Sequence, residues 1–118
     1  MNPDHPVIEV AASGVLTKAD LDATLAAIRR HARKHRDARI LSDCTKLADG
    51  GHSIGDLFFL AEDIQSSELS LSFREAILLP SSPAAARMTR FWKLTCRNHG
   101  LMVRIFKRRR DALAWLLE

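Results

Sequence analysis

The chain has 118 residues, 47% of them hydrophobic and 27% charged, with a formal net charge of +4 at pH 7. That length suits one domain around one core, and the composition is that of an ordinary globular protein. No apolar run approaches the roughly 20 residues of a membrane span, and the two cysteines, Cys44 and Cys96, do not make a disulfide framework.

The start, MNPDHPVIEV, lacks the basic and apolar regions of a secretory signal. A reduced, cytoplasmic setting is therefore expected. The charge is unevenly laid out. One basic block runs through Arg29, Arg30, Arg33, Lys34, Arg36 and Arg39. A second runs from Arg87 through Arg90, Lys93, Arg97 and Arg104 to Lys107–Arg110. Acids dominate the middle, so the molecule should steer anionic partners toward its basic sides.

Val7 to Ala12 alternates and predicts the first strand. Thr17 then reads as a helix N-cap, with Asp20 in the capping-box position. Leu21, Leu25, Ile28 and Ala32 follow on one helical face. Arg39 to Asp43 is the second strand, and Cys44 to His52 reads as a loop around the Asp49-Gly50-Gly51 turn signal. Ser53 is the next N-cap, with Asp56 at N3. Ile54, Leu57, Phe58, Ala61 and Ile64 form that helix's stripe, and Phe59 points away from it.

Phe73 to Leu79 is the third strand. Its Ala76-Ile77-Leu78-Leu79 run is apolar on both faces and predicts a central position. Ser82 followed by Pro83 is a cap plus first-turn pair. Ala84, Met88, Phe91 and Thr95, flanked by Trp92, are expected as that helix's inner face. Gly100 is expected in the left-handed C-cap conformation. Leu101 to Phe106 is the fourth strand, and Asp111 to Leu117 a short closing helix carrying Trp115.

The order β-α-β-α-β-α-β-α implies one α/β domain over residues 1–118, with a mainly parallel sheet of four to five strands. Glu9 and Arg104 interrupt the apolar runs of the outer strands. That predicts helices mostly on one face and a second face partly open.

Certain stretches resemble a known family. Gly14, Leu16-Thr17 and Asp20-Leu21 are similar to the opening of SpoIIAA-like (STAS) domains. So is a strand running into Asp43. Asn98-His99-Gly100-Leu101-Met102-Val103-Arg104-Ile105-Phe106, with Ala112-Leu113-Ala114-Trp115-Leu116, resembles the ending of bacterial STAS-like proteins. The resemblance implies a four-turn β-α superhelix, cytoplasmic and non-enzymatic, that works as a regulatory or protein-interaction module. Antagonist relatives carry a phosphorylatable serine soon after the second strand. This chain has Asp43-Cys44-Thr45 there, so by the resemblance the candidate phosphosite is Ser53 by its position at a helix start, with Thr45 the nearest in sequence.

Ligands in parallel sheets sit beyond the carboxyl ends of strands. Those ends make Asp43, Cys44, Thr45, Ser53, Ser81, Ser82, Lys107 and Arg108 the candidate ligand or partner site, and Phe59 a candidate interface. The simpler roles stand beside these: Ser53 and Ser82 as helix caps, Asp43 as the anchor of its own turn.

The first expectation is a non-catalytic interaction module that self-associates or docks on a protein. The alternative is binding or sensing of an anionic nucleotide or lipid. The remaining one is a thiol-dependent enzyme built on Cys44 and His52. No catalytic set and no cofactor are expected. His31 and His35 stand four apart without a carboxylate partner, so no metal is expected either. Aromatics are 6% and tyrosine is absent, which leaves few stacking platforms for nucleic acid.

Overall fold

The computed structural model describes residues 7–35, 38–48 and 53–118. The elements alternate as β1 (Ile8–Gly14), α1 (Lys18–His35), β2 (Arg39–Leu47), α2 (Ile54–Gln65), β3 (Arg74–Leu78), α3 (Pro83–Asn98), β4 (Met102–Phe106) and α4 (Arg109–Leu116). The Asp49-Gly50-Gly51 turn and His52 lie outside the described residues.

Helix starts follow the local chemistry. Thr17 Oγ1 accepts from the Asp20 amide at 3.2 Å, and Asp20 accepts from the Thr17 amide at 2.9 Å. Ser53 and Asp56 form the same reciprocal box at the head of α2. Ser82 caps α3 ahead of Pro83. Gly100 takes φ 75°, the left-handed region that lets the chain leave α3 and turn into β4.

The four strands are parallel, in the order β1-β2-β3-β4. Sequential order means that every crossover steps the same way, which puts α1, α2 and α3 on one face. The larger core lies there. Ile28 and Ala32 of α1, Ala61 and Ile64 of α2, and Cys96 of α3 pack on Ile8, Ile40, Ile77 and Val103.

After β4, α4 folds onto the opposite face. Ala112, Trp115 and Leu116 cover Val7, Leu41, Ala76 and Leu78 there. Cations at the strand starts hold the end of α4, where its carbonyls lack helical partners. Arg39 donates to the Leu116 carbonyl at 2.7 Å, and Arg74 donates to that of Trp115 at 3.0 Å. The Arg74 and Arg104 guanidinium groups also sit 5.0 and 5.4 Å from the centre of the Trp115 ring. Over β1 this face stays open, with Glu9, Ala11 and Ser13 exposed. Glu9 forms an ion pair with Arg109 at the other end of α4.

Three local expectations are corrected. Cys44 to Leu47 belongs to β2 rather than to a loop. Ser13↔Lys46 and Gly14↔Leu47 pair after a register shift in β1, and this long-range pairing overrides the polar composition of the stretch. In α2 the buried face is Leu57, Ala61 and Ile64, whereas Ile54 and Phe58 are 56% and 43% exposed. In α3 the buried residues are Ala85, Ala86, Thr89, Thr95 and Cys96, a face rotated from the expected one. Thr89 tolerates burial because its hydroxyl donates to the Ala85 carbonyl at 2.9 Å.

Candidate functional site

Side-chain alternation sends Ile40, Ser42 and Cys44 of β2, and Glu75 and Ile77 of β3, toward α1–α3. Near the middle of the sheet this packing is incomplete. A cavity of about 160 Å³ remains between β1–β3 and the three helices. Its walls are Val10 and Ala12 of β1, Leu21, Leu25 and Ile28 of α1, Leu57 and Leu60 of α2, and Met88 and Trp92 of α3. None of the described lining residues is Lys, Arg or His.

One carboxyl group, that of Glu75, reaches this apolar space. Ser42 Oγ donates to its Oε2 at 2.6 Å, and Trp92 Nε1 donates to its Oε1 at 2.7 Å. Burial pushes the Glu75 carboxyl above its ordinary value, against the pull of these two hydrogen bonds. Burial and the two hydrogen bonds thus act on this carboxyl in opposite directions, with burial the larger cause. Glu75 nevertheless keeps accessible surface, because it faces the cavity.

Cys44 lines the same space. Burial, with smaller contributions from Glu75 and Asp43, pushes its thiol up to about 12. Burial and Glu75 also push the Cys96 thiol upward. Thiolate formation, which nucleophilic chemistry needs, is suppressed at both positions.

The residues expected at the strand ends separate into distinct groups. Asp43 Oδ1 accepts from Thr45 Oγ1 at 2.7 Å and from its amide at 3.1 Å. Those bonds hold the Asp43 carboxyl below its ordinary value. Ser81 joins this group by donating to the Thr45 carbonyl at 3.3 Å. Cys44 points the other way, into the cavity. Ser53 and Ser82 serve as helix caps. Lys107 and Arg108 are exposed just after β4. Phe59 is 61% exposed, and its ring meets that of Phe58 edge-on at 5.8 Å.

Glu75, Ser42 and Trp92 were not legible as a site in the sequence. The one available signal was an acid in the third strand just before its apolar run, at a position whose parity matches Ile77 on the helix-covered face. Among the described residues no group of three His, Cys, Asp or Glu could hold a metal ion. No described helix is long and apolar enough to cross a membrane.

Comparison with known proteins agrees with this architecture. A family model described as SpoIIAA-like matches residues 7–117. The crystal structure of an uncharacterized protein of the DUF3478 family from Shewanella loihica PV-4, with a SpoIIAA-like fold, superposes with a TM-score of 0.58. It is 23% identical and covers 92% of this chain and 82% of its own. At that identity the likeness establishes the shared fold. No curated protein matches the chain.

Proposed function

This chain belongs to the SpoIIAA-like family, and from that premise we propose that it is a non-catalytic binding module that houses a small apolar ligand between its sheet and α1–α3. The cavity carries this reading. Protein interiors are normally packed to crystal-like density, and an unfilled volume costs stability. A largely apolar space of about 160 Å³ with one carboxyl group among its described lining residues has the make-up of a ligand site. The suppressed thiols support a binding role over a thiol-dependent reaction.

Native mass spectrometry of freshly purified protein tests this. A retained adduct, or saturable uptake of a fluorescent apolar probe by the empty chain, is the expected result. A clean apo mass together with no probe uptake would sink it.

A second reading is self-association through the outer face of α2. Ile54, Phe58 and Phe59 favour it, since three large apolar side chains project from one helix into solvent. Sedimentation velocity across a concentration series should show a dimer that Phe59→Ala weakens. A concentration-independent monomer in both proteins would remove this reading.

A further inference from the structure

Resting on the cavity reading above, we infer that the site selects a small apolar amine, with its ammonium group on the Glu75 carboxyl and its apolar body among the walls of α1 and α2. The charge layout carries the inference. The floor holds one carboxyl, and no cation stands among the described lining residues to balance it. An anionic head group would meet that acid in a low-dielectric space, where like charges interact strongly. A cationic head group supplies the charge that is missing.

Ser42 and Trp92 make the carboxyl ready for this role. Each donates to a different oxygen, at 2.6 and 2.7 Å. Donors of this kind stabilise the ionised form. Each oxygen keeps a further lone pair for a third partner. Burial works against the ionised form, and an opposite charge beside the carboxyl restores it. Where Glu75 carries a proton, a neutral amine takes it onto its nitrogen. The resulting carboxylate accepts from Ser42, Trp92 and the new ammonium group, and no charge is left unpaired. A ligand arriving already protonated pairs with the carboxylate directly, and any proton Glu75 held goes to solvent.

The dimensions restrict the apolar body. About 160 Å³ is close to the roughly 150 Å³ of an engineered apolar cavity that admits benzene. One ring or a short chain fits this inner space, and a longer body would leave through its open side. Leu21, Leu25, Leu57 and Met88 offer it only apolar contact. This preference differs in charge from the anionic nucleotide or lipid expected at the strand ends.

The test uses the full chain and three probes with a common ring: benzylamine, benzyl alcohol and benzoate, titrated by ligand-observed NMR. Benzylamine should bind about tenfold tighter than benzyl alcohol, the scale of one charge-assisted contact, with benzoate weakest. In Glu75→Gln, which keeps the side-chain shape, that preference should vanish while benzyl alcohol still binds. Benzoate binding as tightly as benzylamine to the wild type would overturn the inference, and needs no variant. So would an amine preference that survives Glu75→Gln. If the alcohol binds and the amine gains nothing, the amine inference fails and the cavity reading stands. If none of the three binds, both fail.

Discussion

The indole N–H of Trp92 donates to Glu75 Oε1 at 2.7 Å, tying α3 to the first half of β3 across a largely apolar interior. With Ser42 on the other oxygen, this arrangement gives each oxygen of the acid one donor and leaves its outer side facing the cavity. The bond is structural and chemical at once. It positions α3, and it determines which way the carboxyl faces.

Stability should depend on pH through Glu75. Its folded-state value lies above the ordinary 4.5, with burial the leading cause. The folded protein therefore holds this proton to higher pH than the unfolded chain does. The contribution is fully present below about 4.5 and is lost as pH rises through the raised value. The groups facing it, the Cys44 and Cys96 thiols, stay protonated across that range. Melting curves of Glu75→Gln should gain on the wild type as pH rises. Parallel pH profiles would contradict the raised value.

Trp92→Phe removes one donor and keeps most of the ring. Glu75 Oε1 then loses its partner in a space with no replacement among the described residues. The expected cost is about 1–3 kcal/mol, read from urea unfolding. A loss below about 0.5 kcal/mol would mean that the hydrogen bond matters little or that water replaces it.

The two sides of α2 should respond in opposite ways. Leu57 is 5% exposed and lines the cavity. Leu57→Ala should cost about 2–5 kcal/mol. Phe59→Ala should change monomer stability by less than about 0.5 kcal/mol, as expected of an exposed side chain. Equal losses at the two sites would place Phe59 in a packed environment.

The caps can be checked separately from the core. Ser53→Ala removes the Oγ that accepts from the Asp56 amide at 3.1 Å, while the backbone N–H at position 53 still donates to the Asp56 carboxylate, 2.8 Å away. The removal should cost about 1 kcal/mol in chemical denaturation. Ser82→Ala should cost less, because its single cap bond is long at 3.4 Å.

Local chemistry was legible in the sequence. Thr17, Ser53 and Ser82 mark helix starts through bonds that span three residues, and Gly100 marks a helix end through its own φ. Alternating strands and helices imply a parallel sheet, and Glu9 beside exposed Ala11 and Ser13 does mark the open part of the second face. The rotated faces of α2 and α3 were not legible. Phe58 and Leu57 are adjacent and similarly apolar, and only the neighbours on α3 and the sheet decide which is covered.

The sequence by itself determined where the chain bends, caps and alternates, because those interactions close within a few residues. Only the tertiary structure decided that α4 covers β2–β4 with Trp115 beneath Arg74 and Arg104, and that β2 continues to Leu47 beside β1. It alone assembled Ser42, Glu75 and Trp92 around one cavity. Those three residues lie on three different elements, 33 and 17 positions apart along the chain. Periodicity within one element carries no information about what stands across a cavity.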